Sequence, residues 1–134
     1  MIVLDSSFLI AYHNIGDVHH AAAARAMVHL AGGEWGEAVL LEYVFLEVVT
    51  VLRARLGKSV ATEVAEQLLQ SREVEFVPCS ELFLEALATF RREAAPLSFA
   101  DAAIATVARR DKHGYVATFD RDFRNLPGVT VIPA

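Results

Sequence analysis

Asp5, Glu47, Asp101 and Asp120 are the residues of this 134-residue chain whose surroundings best suit chemistry. Asp5 directly follows the apolar run Ile2-Val3-Leu4. Asp120 comes just after a second run, Tyr115-Val116-Ala117-Thr118. Glu47 is the only charge within Tyr43 to Leu52. Asp101 lies among the small residues of Phe99 to Ala105. The stretch around Glu47 reads as a mostly buried helix, and a lone carboxylate there is costly unless it is paired or binds a cation. No Lys or Arg adjoins Asp5, Glu47 or Asp101. Carboxylates that converge on one crevice repel each other unless a cation intervenes. Carboxylates and water are the ligands of hard divalent ions such as Mg²⁺ or Mn²⁺. A site of that kind activates water and stabilises charge on a phosphodiester.

Each acid also has an ordinary structural role open to it. Asp5 can cap the helix that follows it, and Asp120 can cap a short turn. Ser98-Phe99-Ala100-Asp101 fits a capping box, with Asp101 reaching back to the Ser98 backbone. Glu47 can pair with a core arginine. What favours chemistry is the set, if the fold brings the four together.

The elements that must do so are short apolar runs alternating with helical stretches. Strands are expected at Ile2 to Leu4, Ala38 to Leu41, Val74 to Val77, Tyr115 to Thr118 and Val129 to Ile132. Helices are expected at Ser6 to Tyr12, His19 to Leu30, Tyr43 to Arg55, Ser59 to Gln70, Glu81 to Arg92 and Ser98 to Arg110. Gly32-Gly33, Gly57, Pro96 and Gly114 punctuate them. Continuous apolar strands between helices indicate βαβ units and a parallel sheet covered on both faces. In such sheets ligands bind beyond the carboxyl ends of the strands, where the strand order reverses. Residues 1–134 read as one α/β domain, with no repeat and no linker.

Composition narrows the function further. Lys and Arg number 12 against 17 Asp and Glu, a net charge of −5. A broad basic surface that coats nucleic acid is excluded. Setting the four acids aside leaves 13 acids against 12 bases, so most of the excess sits in the candidate site. Any grip on a polyanion is then local. No apolar stretch is long enough to span a membrane. A single cysteine, Cys79, and the lack of a basic, secretory-type start lead us to expect a cytoplasmic protein.

Four segments in this order resemble the PIN-domain nucleases, and more narrowly the VapC-type toxins of toxin–antitoxin pairs. They are Ile2-Val3-Leu4-Asp5-Ser6-Ser7, Tyr43-Val44-Phe45-Leu46-Glu47, Leu97-Ser98-Phe99-Ala100-Asp101-Ala102 and Ala117-Thr118-Phe119-Asp120-Arg121-Asp122-Phe123. Each motif alone is weak, but the ordered set is specific and covers nearly the whole chain. The resemblance implies a three-layer α/β/α fold with sheet order 3-2-1-4-5 and an endoribonuclease dependent on Mg²⁺ or Mn²⁺. It places the acidic positions on Asp5, Glu47, Asp101 and Asp120, with Asp122 as an extra. Asp5, Asp101 and Asp120 are expected to hold the metal. Glu47 is expected to bind it through water or to orient the attacking water. Glu42 is a rival for Glu47 but matches the motif less well. Ser6 and Thr118 fill the hydroxyl places the family usually has.

Contacts with the substrate are less marked in the sequence. Arg121 and Arg124 follow the fourth strand and can bind phosphates. Arg53, Arg55 and Lys58 read as a solvated helix end, and so do Arg109, Arg110 and Lys112. His19-His20 reads either as a neighbour of the site or as a surface helix start, and Trp35 as a loop packing residue in preference to a base-stacking one. The surplus of apolar residues in Ala21 to Leu30 and Tyr43 to Leu52 predicts a homodimer. The resemblance implies an antitoxin protein as partner. The rival readings are a non-toxin PIN nuclease that processes RNA and a non-catalytic protein-binding module. A receiver domain is disfavoured because Asp5 has no acidic neighbour and strand three ends in Pro78-Cys79. A D-x-D phosphatase is disfavoured because Ser7 takes the place of its second Asp.

Overall fold

In a computed structural model describing residues 1–134, five strands form one parallel sheet of order β3-β2-β1-β4-β5. The strands are β1 (Ile2–Leu4), β2 (Ala38–Leu41), β3 (Val74–Val77), β4 (Tyr115–Ala117) and β5 (Thr130–Ile132). The helices are α1 (Ser6–His13), α2 (His20–Ala31), α3 (Glu42–Leu56), α4 (Lys58–Gln70), α5 (Phe83–Arg92) and α6 (Phe99–Ala108). Every expected strand and helix is present. The largest boundary differences are of two residues, at the end of α6 and at the start of α5. There Cys79–Glu81 forms a separate 3-10 turn, because Pro78 sets an extended backbone just before it.

The order of the strands decides where the helices lie. The crossovers β1 to β2 and β2 to β3 advance in one direction across the sheet. The crossover from β3 to β4 runs back the other way. Right-handed connections therefore put α1–α4 on one face and α5–α6 on the other. This is the three-layer α/β/α arrangement. The packing agrees: α1 lies against α2 and α3, α3 against α4, and α5 against α6.

The central strands are apolar throughout because both faces are covered. Ile2, Val3 and Val116 are fully buried, as is Leu40. Burying a Val, Leu or Ile side chain is worth about 1.5–3 kcal/mol. α6 reaches β1 and β4 through small side chains, and Ala102, Ala103, Ala105 and Ala108 are all buried. That close approach brings Asp101, in the first turn of α6, to the end of the sheet. Gly114, with a φ of 59°, is needed for β4 to meet the β5 loop. A Cβ there would lie 1.9 Å from the Gly128 carbonyl oxygen.

The α3 helix departs from expectation. It is buried only on the stripe Val44, Val48 and Leu52, while Leu46 and Glu47 are exposed. An amphipathic helix lying on a sheet needs only one apolar face; Tyr43, Phe45, Val49 and Val51 flank that stripe half-buried, and Leu46 and Leu56 are exposed. The desolvation cost that singled out Glu47 in the sequence is therefore absent.

Candidate active site

Register places the site. Leu4 pairs with Ala117 across β1 and β4, and the Asp5 N–H donates to the Ala117 carbonyl at 3.0 Å. The next residue of each strand, Asp5 and Thr118, then meet side by side where the strand order reverses. Thr118 Oγ1 donates to Asp5 Oδ2 at 2.7 Å, and Ser7 Oγ donates to the same oxygen at 2.9 Å. The two hydroxyls lie 3.1 Å apart. Ser7 Oγ accepts from the Phe119 N–H, and Thr118 Oγ1 accepts from the Asp120 N–H, both at 2.9 Å. The two hydroxyls thus tie the end of β1 to the turn after β4. Asp5 stands at the N-cap of α1, but its carboxylate makes no capping bond. Its fold role is at the strand ends.

Asp5, Glu47, Asp101 and Asp120 line one open cleft of about 530 Å³. Asp5 is the most buried of them, and Glu47 the most exposed. Asp101 and Asp120 keep the structural roles available to them and face the cleft as well. Asp101 completes the capping box of α6, accepting from the Ser98 N–H while its own N–H donates to Ser98 Oγ. Asp120 Oδ1 accepts from the Asp122 N–H at 2.9 Å. In each case the protein's donors engage one oxygen: Oδ2 of Asp5 and Asp101, Oδ1 of Asp120. The only further contact is a long one, 3.5 Å, from Ser6 Oγ to Asp5 Oδ1.

The electrostatics match that geometry. Burial pushes the Asp5 carboxyl above the ordinary carboxylate range, against the bonds from Thr118 and Ser7, and Asp120 adds repulsion. Asp101 is pushed up to about 6, first by burial and then by the charge of Asp5. The group is short of positive charge. Ligand oxygens of Asp101, Asp120 and Asp122 lie within 4.8 Å of one another. Hard oxygen donors held close and destabilised by their mutual charge fit a divalent cation of the Mg²⁺ type.

Other candidates fall differently. Asp122 is exposed and stands beside the cleft rather than in its lining. Ser6 lines the cleft, but Ser7 makes the closer bonds to Asp5 and Phe119. Arg121 and Arg124 are exposed and do not line the cleft. Glu42 is separate as well. It opens α3, and its Oε1 accepts from the Cys79 N–H at 3.0 Å.

Ser7, Asp17 and Arg55 line the cleft but were not singled out by the sequence. Arg55 was detectable. It lies eight positions after Glu47 with Val51 between them, a spacing that keeps all three on one face of α3. Its guanidinium makes no ion pair or hydrogen bond within the chain. His19 was half legible as a possible neighbour of the site. Its partner His20 has a local task, with Nδ1 2.9 Å from the Ala11 carbonyl oxygen. Trp35 packs on the core, as expected of a loop residue.

The comparisons with known proteins agree with this arrangement. VapC20 of Mycobacterium tuberculosis, described as a sarcin-ricin loop cleaving toxin, has a similar structure, with a TM-score of 0.75 and 26% identity. The likeness covers 91% of this chain and 92% of that one. A comparison with curated proteins finds no match. A family model described as PIN domain matches residues 2–129, which include β1 to β4 and all four cleft acids. By that match, the chain belongs to the PIN domain family.

Proposed function

We propose that this chain is a metal-dependent endoribonuclease and the toxin of a toxin–antitoxin pair. The observation that carries the reading is the gathering of Asp5, Glu47, Asp101 and Asp120 in one open cleft at the strand ends. The likeness to VapC20 supports RNA as substrate, and we assign single-stranded or looped RNA. The whole chain serves as one nuclease domain.

Asp5, Asp101 and Asp120 would hold Mg²⁺ or Mn²⁺, with Glu47 acting through water and Asp122 as an additional donor. When bound, the ion supplies charge stabilisation at the phosphodiester and makes water more acidic. The residues of the chain position the reactants. Thr118 and Ser7 fix the orientation of Asp5, and the Ser98 and Asp122 N–H groups fix Asp101 and Asp120. Glu47, exposed in the cleft, accepts a hydrogen bond from the attacking water. Arg55, unpaired in an acidic cleft, takes a substrate phosphate.

Cleavage of RNA in Mg²⁺ or Mn²⁺, with EDTA as control, tests the activity. Cleavage that survives EDTA, or that Asp101→Asn leaves unchanged, overturns the reading. Induced expression separates toxin from processing enzyme: a toxin arrests growth, and Asp101→Asn relieves the arrest.

We also propose a homodimer and an antitoxin protein as partners, acting in the cytoplasm. Val28 on α2 is 72% exposed and Leu84 on α5 is 75% exposed, and Phe83 and Phe90 of α5 are exposed as well. Apolar surface of this kind suits a protein partner. No helix is long and apolar enough to cross a membrane. Light scattering that shows only monomer at micromolar concentration overturns the dimer.

A further inference from the structure

We propose that the His19 imidazole, stacked on Phe119, is a platform that seats one unstacked nucleobase at the edge of the acidic cleft. The nature of the ligand rests on the nuclease reading, but the geometry does not.

The two rings are nearly parallel, with centroids 4.4 Å apart and planes 4° from coplanar. Behind Phe119 lies Phe8, at 6.1 Å and 17°. Phe8 is fully buried, Phe119 half-buried and His19 exposed. Three rings thus step from the core to the cleft, and the outermost ends in solvent.

Nothing else in the chain uses the His19 side chain. It makes no hydrogen bond and no ion pair. The backbone holds it in place. The His19 N–H donates to Asp17 Oδ1 at 2.8 Å, the His20 N–H to the Asp17 carbonyl, and the Asp17 N–H to the Asn14 carbonyl. The bond of His20 to Ala11 anchors the same turn to α1. The imidazole is therefore oriented without its own polar atoms.

The platform is joined to the acids. Phe119 sits between Thr118 and Asp120, and its N–H donates to Ser7 Oγ. Both His19 and Phe119 line the cleft with Asp5 and Asp120. A base resting on His19 therefore has its phosphate directed towards the carboxylates. A cleft of about 530 Å³ accommodates a nucleotide or two and not a duplex. Stacking on an aromatic ring suits any base, because each has a π face.

A mononucleotide tests the platform without cleavage. The probe is 2-aminopurine riboside 5′-monophosphate in Mg²⁺, whose fluorescence is quenched by stacking. Wild type should quench it saturably, and adenosine 5′-monophosphate should compete better than ribose 5-phosphate. His19→Ala should weaken quenching by about tenfold and remove the preference for the base. His19→Phe should retain both within about threefold, since a phenyl ring also stacks. Circular dichroism confirms that both variants fold. Equal competition by the two phosphates, wild-type binding by His19→Ala, or no saturable quenching by wild type overturns the platform. If the nuclease reading alone fails, RNA is not cut while the quenching pattern persists, and the platform stands.

Discussion

Thr118 Oγ1 lies 2.7 Å from Asp5 Oδ2, joining residues 113 positions apart in the chain. The contact follows from register. Leu4 pairs with Ala117, so the first residue beyond each strand meets the other. It also divides a limited supply of protons. Thr118 and Ser7 have one hydroxyl proton each, and both face the same carboxylate oxygen. With both given to Asp5, their own 3.1 Å contact has none left to share.

Thr118→Val keeps the shape of the side chain and removes the donor. A hydrogen bond to a charged group is worth about 1.5–3 kcal/mol, so urea unfolding should show a loss of that order. RNA cleavage should fall about tenfold or more as Asp5 loses its orientation. Thr118→Ser should restore most of both. A Thr118→Val variant with wild-type stability and rate would show the bond to be idle.

Asp101 should oppose folding when ionised and serve function at the same cost. Its carboxyl is pushed up to about 6, whereas an unfolded chain has the ordinary 3.8. Between those values the folded state binds more protons than the unfolded one. Stability from this group is thus complete below the lower value and is lost as pH rises through the upper one. In EDTA at neutral pH, Asp101→Asn should therefore melt higher than wild type. The gap should shrink as pH falls from 7 towards 4. The same protons compete with a cation, so Mn²⁺ binding by calorimetry should weaken below about pH 6. Cleavage by Asp101→Asn should drop by about 100-fold or more. A pH-independent gap, or one of opposite sign, refutes the linkage.

Glu47 and Glu42 stand five residues apart and should behave as opposites. Glu47→Gln should lower cleavage about tenfold or more while leaving the melting temperature near wild type, because the residue is exposed and bears on the cleft. Glu42→Gln should keep the rate within about threefold, because that carboxylate serves the Cys79 N–H. Swapped phenotypes would move the catalytic acid to Glu42.

Arg55→Ala should raise the KM for RNA about fivefold to tenfold with a smaller change in kcat. A lost phosphate contact also lowers the salt slope of binding by about one. Arg121→Ala, outside the cleft lining, serves as the comparison and should alter neither. Equal effects of the two variants would indicate diffuse attraction in place of a contact.

Much of this is legible in the sequence. The strands read clearly because buried parallel strands are apolar throughout, as Ile2-Val3-Leu4 shows. The capping box at Ser98 and Asp101 read clearly because it is local, spanning one turn. Glu47 was selected for a partly wrong reason. A helix rich in apolar residues looked buried all round, yet only one of its faces meets the protein. Its position in the cleft owes nothing to desolvation. Ser7 was overlooked because its partners, Thr118 and Phe119, are more than a hundred residues away.

The sequence by itself determined the α/β alternation, the family resemblance and the four acidic positions. Those depend on residue type, on short-range periodicity and on the order of motifs, all of which one dimension preserves. The tertiary structure decided which side chains share a space. It brought Asp5 against Thr118, set Arg55 in one cleft with the acids and laid His19 on Phe119. It also raised the Asp101 carboxyl, because burial and the nearness of Asp5 exist only once β1, β4 and α6 have met. Strand register and helix packing fix those distances, and no local pattern encodes them.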